Sequence, residues 1–259
     1  MTITTGQIEA WLAAWLWPFI RIGACLMVAP IFGAKFVPAR FRIVLAAAIT
    51  LIVAPLLPPP PDVSPFSGTG FVITVQQLII GIAVGFVLQI VFDALGMGGQ
   101  LLANTMGLSF AYNVDPLRGT GTPVLGQFYT LIATLTFLAL NGHIAIIQAL
   151  VDGFGTMPVG TAGLGASALG DVALYGSQLF RGALMVALPG LTALLIVNLA
   201  FGVVSRAAPS LNLFAIGFPV TLIGGLLIVT AGLPAVQSGF ITLMRETMDF
   251  ALSLMRVAE

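Results

Sequence analysis

The sequence has little charge for its length. Its 259 residues include 9 basic and 9 acidic side chains, so 7% of the chain is charged and the formal net charge is zero. Soluble domains carry about 25% charged residues, which means that this chain has too few to cover a water-exposed surface. The absence of a basic excess gives no indication of nucleic-acid binding. We predict a protein that is embedded in a membrane or covered by partners.

Cysteine and histidine are almost absent as well. Cys25 and His143 are each the single residue of their type, which excludes an intrachain disulfide and a cysteine or histidine metal cluster. Residues 1–11 have no basic n-region and Glu9 precedes the first apolar run, so we predict no signal peptide. No nucleophile elbow, phosphate loop or dinucleotide fingerprint is found. We expect no enzymatic activity, no metal and no cofactor.

Apolar residues make up 59% of the sequence, and the mean hydropathy is +1.11. They form six long segments, each near the roughly 20 residues that a membrane-spanning helix needs. Prolines within these segments bend helices, so we predict an all-α, membrane-associated protein of kinked helical hairpins. The fourth segment is broken at 141–143 and is followed by a glycine-rich loop at 152–171. The segments cover about 10–32, 43–57, 71–95, 124–151, 179–204 and 211–233.

The end of the chain has a different pattern. After Pro234 the spacing predicts a separate amphipathic helix. Its apolar face holds Val236, Phe240, Met244, Met248, Leu252 and Met255, and its polar face holds Ser238, Thr242, Arg245, Asp249, Ser253 and Arg256.

The stretch from Gly96 to Gly126 interrupts the apolar sequence. It is rich in glycine and contains Asn104, Asn113 and the opposite charges Asp115 and Arg118. Irregular backbone in contact with lipid leaves N–H and C=O groups unpaired, at a cost of several kcal/mol each. We therefore interpret this stretch as a polar segment that the flanking apolar helices hold across a pathway.

Three features allow two interpretations each. Phe110, Tyr112 and Phe128 flank the glycine-rich stretch, and they either close a channel as a gasket or anchor a loop on helices. Arg21 lies inside the first apolar segment, where it is either paired in the interior of an assembly or reaches an interface or the carbonyls near Pro18. Asp93 is interpreted as a charge at a helix end or as a proton relay.

Basic residues concentrate in alternate connectors. By the positive-inside rule that side is cytoplasmic and both termini lie outside, although Arg245 and Arg256 in the tail argue against this orientation. The basic connectors carry Lys35, Arg40 and Arg42, then Arg118, then Arg206, whereas the other connectors carry Asp62, Asp152 and Asp171, with Arg181 at the edge of a segment.

Four motifs resemble the FliR/SctT family of type III export-gate proteins. They are RIGACLMVAPIFG (21–33), GGQ with MGLSFAYNVDP (98–116), LNGH (140–143) and, most specifically, SLNLFAIGFP (210–219). The resemblance covers nearly the whole chain in the same order. It implies residues 1–178 as a FliP-like helical part and residues 179–259 as a FliQ-like hairpin with the C-terminal amphipathic helix.

The resemblance also implies partners and functional residues. FliP-like and FliQ-like subunits would join the chain in a helical hetero-oligomer. The other implied partners are FlhB, FlhA, unfolded export substrates and membrane lipid. A plug loop would fall on about 106–122. The implied plug residues are Met106, Gly107, Phe110, Tyr112, Asn113, Asp115, Arg118, Gly119 and Gly121, and the implied partner contacts are Arg21, Arg206, Pro209, Asn212, Phe214, Gly217, Phe218 and Pro219.

The resemblance implies a subunit of the flagellar type III protein export gate, located in the bacterial inner membrane at the flagellar basal body. The chain would form part of the channel wall and its closing plug for the secretion of unfolded flagellar subunits. Three alternatives remain at this point: a six-span secondary transporter with broken helices, an injectisome export-gate subunit that passes effectors, and a passive assembly scaffold without a pore-lining loop.

Overall fold

The computed structural model describes residues 4–108, 124–207 and 213–256. Within these ranges the chain forms eight α-helices, one 3₁₀ turn at Ala54–Leu56 and no β-strand, which confirms the all-α prediction. The helices are α1 Thr5–Val28, α2 Ala39–Val53, α3 Gly68–Thr105, α4 Val124–Ala139, α5 Gly142–Thr156, α6 Ala166–Tyr175, α7 Ser177–Ala207 and α8 Leu213–Leu254.

The predicted apolar segments correspond to helices that are long enough to cross a membrane. Five candidate spans occur in the described ranges: α1, α2 with its 3₁₀ turn, α3, the run from α6 through α7, and α8. Helices α4 and α5 form a sixth if they are counted together, and they are bent by 65° at the break. Asn141 lies in that break with φ of 57°. Five of the six predicted segments therefore correspond to candidate spans, and the fourth is a bent pair with the predicted interruption.

Helix α3 is longer than the sequence pattern predicts. It continues past the predicted end at Leu95 to Thr105. The first ten residues of the stretch that we interpreted as irregular backbone, Gly96 to Thr105, are therefore helical. Glycine costs about 1 kcal/mol in a helix interior relative to alanine, but it also permits close approach of another helix. Here α4 packs directly on the glycines of α3, and this packing offsets the cost of keeping them helical.

Two other predicted boundaries are wrong. The glycine-rich loop at 152–171 is largely helical, because α5 extends to Thr156 and α6 begins at Ala166. Helix α8 continues through Pro234 without ending, so the amphipathic segment is the last part of one long helix. A proline removes one backbone donor, and the remaining hydrogen bonds of α8 carry the helix across that gap.

The amphipathic pattern itself is confirmed. All six residues of the predicted apolar face are buried or half-buried, and all six of the predicted polar face are exposed.

The chain divides into two compact units, each composed of separated segments. Unit 1 comprises Met1–Ile90, Leu138–Gly176 and Arg245–Glu259. Its core contains Ile22, Leu26, Ala46 and Phe154, with a second cluster around Trp17. Helices α1 and α3 come close in this unit, where a Cβ at Gly85 would lie 2.7 Å from the carbonyl oxygen of Cys25.

Unit 2 comprises Val91–Phe137 and Ser177–Met244. Three aromatic rings connect its helices: Phe92 on α3 contacts Phe137 on α4 and Phe240 on α8, both edge-to-face, at centroid distances of 5.5 and 5.4 Å. Such pairs contribute about 0.5–1.5 kcal/mol beyond burial of their area. The division at 178/179 into FliP-like and FliQ-like parts stays a prediction.

Candidate functional site

The end of α3 and the start of α4 pack backbone to backbone. A Cβ at Gly99 would lie 2.5 Å from the carbonyl oxygen of Leu125, and one at Gly126 would lie 2.9 Å from the carbonyl oxygen of Gly96. Only residues without a side chain allow this approach. Helices α3 and α4 therefore form a hairpin in unit 2, and the two positions at which the chain leaves and re-enters the described residues, Leu108 and Val124, belong to the same end of it.

A glycine cap ends α3. The N–H of Leu108 donates to the carbonyl of Ala103 at 3.0 Å, and the N–H of Gly107 donates to the carbonyl of Asn104 at 3.1 Å. Gly107 has φ of 79°. These two bonds with a left-handed glycine are the Schellman arrangement, which satisfies the last carbonyls and turns the chain sharply out of the helix.

Met106, the first residue of the predicted plug, is a buried contact in unit 2. Its side chain is 1% exposed, and it fills the space above Gly225 of α8, where a Cβ would lie 2.5 Å from its Cγ. Phe128 on α4 is half-exposed, with its ring 6.1 Å from that of Tyr129. The other predicted plug residues, which are Phe110, Tyr112, Asn113, Asp115, Arg118, Gly119 and Gly121, lie outside the described residues.

A polar stripe follows the C-terminal half of α3. Asp93, Gln100 and Asn104 are all exposed. Gln100 follows Asp93 by seven positions and Asn104 by four more, so all three project from the same side of the helix. The sequence pattern up to Leu95 does not indicate this stripe, although a helical periodicity test carried beyond Leu95 would have found it.

Arg21 is completely buried in unit 1. Its Nη1 donates to the carbonyl oxygens of Gly153, at 3.3 Å, and Met157, at 2.9 Å, and its Cζ lies 4.1 Å from the ring centroid of Phe154. The side chain therefore does not extend outward towards a membrane interface. The carbonyls that it binds are at the end of α5 rather than beside Pro18. A contact of Arg21 with a partner subunit stays a prediction.

Arg42 has a role that the sequence did not indicate. Its Nη2 donates to the carbonyl oxygens of Gly33, Ala34 and Val37 at 3.2, 2.6 and 2.9 Å. The turn that it closes contains Ile31 with φ of 69°. The two N–H bonds of one NH₂ group thus serve three carbonyls in the connection between α1 and α2, with one N–H shared between two acceptors.

The predicted partner contacts at the end of α7 and the start of α8 lie partly within the described residues. Arg206 is exposed in the last turn of α7, Gly217 is buried, and Phe218 and Pro219 are exposed on α8. Pro209 and Asn212 lie outside the described residues, as does the side chain of Phe214.

Helices α3 and α7 differ in how much of their apolar surface is covered. In its most apolar window α3 has 67% of its residues buried, whereas the α6–α7 run has 17% and α8 has 22%. Exposed apolar residues on α7 include Phe180, Leu188, Ile196 and Leu199. Within the described ranges no group of three His, Cys, Asp or Glu side chains is arranged to hold a metal ion.

These features define a class: an α-helical membrane protein built on a glycine-packed hairpin, with large apolar faces left uncovered. The model of the family "Bacterial export proteins, family 1" matches residues 12–247. The chain therefore belongs to this family.

The relatives carry flagellar names. The flagellar biosynthetic protein FliR of Escherichia coli (strain K12) is 41% identical over 236 residues, which cover 91% of this chain and 90% of the relative. FliR of Pectobacterium carotovorum subsp. carotovorum is 35% identical over 256 residues, or 98% and 97% of the two chains. FliR of Aquifex aeolicus (strain VF5) is 30% identical over 246 residues, or 93% and 92%.

Family and relatives together identify a subunit of the flagellar type III protein export gate. They do not favour the secondary transporter or the injectisome subunit.

Proposed function

We propose that this chain forms part of the wall of the flagellar export gate, through which unfolded flagellar subunits pass, and that residues 106–122 form its plug. The proposal gives the chain a structural role without a catalytic step. The observation that carries it is the exposed polar stripe on α3.

The stripe cannot face lipid without a large cost. A carboxylate such as Asp93 costs about 2.5–3.5 kcal/mol at the centre of a spanning helix on insertion scales, and polar groups inside membranes face water-filled cavities or protein. Gln100 and Asn104 continue the same side of α3. A conduit for unfolded chains needs a hydrated wall without strong apolar binding sites, which is the chemistry that this stripe provides.

The geometry of the α3–α4 hairpin supports the assignment of residues 106–122 as the plug. Its tight packing brings Leu108 and Val124, the described residues on either side of 109–123, to the same end of the hairpin, and the stripe residue Asn104 lies at that end of α3. Gly107 turns the chain out of α3, and Gly119 and Gly121 add positions at which large φ/ψ changes meet no side-chain obstacle.

The uncovered apolar faces support the proposal that partner subunits bind to this chain. Helix α7 exposes large apolar side chains from Phe180 to Val204, and α8 exposes them from Phe218 to Leu227. We infer that FliP-like and FliQ-like subunits cover these faces in a helical hetero-oligomer, with membrane lipid on the remainder. Residues 206–212 are the proposed contact with FlhB, and FlhA completes the cytoplasmic side. The basic connectors then face the cytoplasm, the termini face the periplasm, and the complex lies in the inner membrane at the flagellar basal body.

The wall is tested by cysteine labelling. Cys25 is fully buried, so the natural chain gives a low background for a water-soluble maleimide. Gln100→Cys and Asn104→Cys are expected to be labelled in assembled gates, and labelling is expected to fall when a stalled export substrate occupies the gate. Leu199→Cys, on an exposed apolar face of α7, is the matched control and is expected to stay unlabelled in assembled gates. Equal labelling of all three positions, unaffected by substrate, would contradict the wall assignment.

The plug is tested by replacement. Met106 and Gly107 are retained because they close α3, and residues 109–122 are replaced by a glycine–serine linker of the same length. Gates with the linker are expected to assemble with their partners and to leak ions across the membrane. A linker variant that assembles and conducts no more than the natural gate would refute the plug. The control replaces 160–162, in the connection between α5 and α6, with glycine and serine, and is expected to leave conductance unchanged.

A further inference from the structure

Arg21 and Gln77 form a buried polar pair between α1 and α3 in unit 1. Both side chains are completely buried. Arg21 Nε donates to Gln77 Oε1 at 2.7 Å, and Arg21 Nη1 has the carbonyl acceptors at the end of α5. Two of the three guanidinium nitrogens are therefore satisfied by the protein.

Two donors in this pair have no acceptor among the described residues. They are Nη2 of Arg21 and Nε2 of Gln77. Nη2 is attached to the same carbon as Arg21 Nε, and Nε2 to the same carbon as Gln77 Oε1, so each donor lies next to one end of the hydrogen bond that joins the side chains. Turning over the Gln77 amide does not help, because its NH₂ group would then face the Nε–H of Arg21, which is also a donor.

The charge of the pair is also uncompensated. Arg21 makes no ion pair within the described part of the chain, and what stabilises it is the carbonyl end of α5 and the face of the Phe154 ring. A helix C-terminus and a ring face carry only partial negative charge. Buried side-chain donors in folded proteins are hydrogen-bonded to protein, to ordered water or to an ion, and the surroundings of this pair favour an acceptor.

We propose that Arg21 and Gln77 form an internal binding site for one small hydrogen-bond acceptor, a water molecule or a halide-sized anion, which receives hydrogen bonds from Arg21 Nη2 and Gln77 Nε2. The bound acceptor completes a polar junction that joins α1, α3 and the end of α5. Neither Arg21 nor Gln77 is one of the residues assigned to the polar stripe or to the plug.

The direct test is a density map of the assembled gate that resolves ordered water, recorded in buffers containing chloride, bromide or gluconate at equal ionic strength. The proposal requires one peak within about 3.2 Å of both donors. A peak in all three buffers identifies water, and a peak present only with the halides identifies an anion. Absence of a peak in every buffer, or a protein oxygen bonded to both donors, overturns the proposal.

Gln77→Glu gives a second, independent readout. The carboxylate keeps the acceptor for Arg21 Nε and supplies a second oxygen for Nη2, so the bound acceptor is expected to be lost while the Tm of the gate is retained or raised. If the ligand is an anion, the Tm of the natural gate rises with halide concentration, as mass action requires, and that of the variant does not.

The matched control is Gln237→Glu, at an exposed position of α8. It makes the same change of charge and is expected to leave the peak and the halide response unchanged. A peak that persists unaltered in the Gln77→Glu variant contradicts the site, because the amide donor that the proposal requires is then absent.

Discussion

The glycine packing of α3 on α4 can be tested by a single methyl group. In Gly99→Ala the new Cβ lies 2.5 Å from the carbonyl oxygen of Leu125 and 2.8 Å from its carbonyl carbon. These are backbone atoms, so no rotamer change relieves the contact and the two helices must move apart. Overpacking of this kind costs about 1–3 kcal/mol.

The matched control is Gly224→Ala in α8, where nothing lies within 4 Å of the new Cβ. Both substitutions gain about 0.8–1 kcal/mol of helix propensity, so that term cancels when the two variants are compared. The remaining difference is the contact itself. With about 2–4 °C of Tm for each kcal/mol in a chain of this size, Gly99→Ala is expected to melt roughly 2–12 °C below Gly224→Ala. Thermal unfolding of the purified gates, followed by loss of co-purifying partners, measures this difference. Equal Tm values for the two variants would refute the close approach of α3 and α4.

Three further substitutions test single features. Gly107→Ala places a side chain at φ of 79° and is expected to cost about 1–2 kcal/mol and to lower the Tm, whereas Gly170→Ala, in open space, is expected to be neutral or stabilising; equal effects would contradict the left-handed cap. Arg42→Ala removes the side-chain donor of three carbonyls in the α1–α2 connection, of which, among the described residues, only that of Ala34 keeps a backbone donor, the N–H of Val37. It is expected to cost about 1–3 kcal/mol by chemical denaturation, against about 0.5 kcal/mol or less for the exposed Arg40→Ala. Tyr175→Phe keeps the ring stacked at 4.1 Å on Phe250 but removes the hydroxyl that bonds to Thr247 at 2.7 Å, and a loss of about 0.5–1.5 kcal/mol is expected, while a stability equal to that of the natural chain would show that the bond contributes nothing.

The sequence predicts the helices well because each apolar run has the length of a span and each interruption has a local cause. The break at Asn141 and the two faces of the C-terminal part of α8 are readable from local pattern alone. The helical state of Gly96–Thr105 is not, because glycine is common both in loops and at helix crossings. What distinguishes the two is the approach of Leu125 and Gly126, which residues 96–105 do not encode.

The polar contacts of the candidate site were unpredictable for a related reason. Arg21 was recognised as costly inside an apolar segment, but its acceptors are backbone carbonyls of residues 153 and 157. Every residue has a carbonyl, so such a partner leaves no signature in composition or spacing. The same holds for Arg42, whose charge was interpreted only as an indicator of orientation. A side-chain acceptor such as Gln77 can be recognised by its residue type. No local sequence pattern, however, indicates that this position on α3 packs against Arg21 on α1.

The two unusual surfaces of this chain support the same conclusion when they are considered together. A membrane protein that works alone faces lipid with apolar residues and turns its polar residues inward. Here the helix with the most buried apolar window, α3, carries exposed Asp93, Gln100 and Asn104, while α7 exposes Leu195, Ile196 and Leu199. Lipid is able to cover the apolar face of α7 but not the polar stripe on α3, because a carboxylate and two amides lose hydrogen bonds with water when they enter hydrocarbon. An assembly in which partner subunits cover the apolar faces and enclose the polar stripe around water satisfies both surfaces at once, and this is the arrangement that an export gate requires.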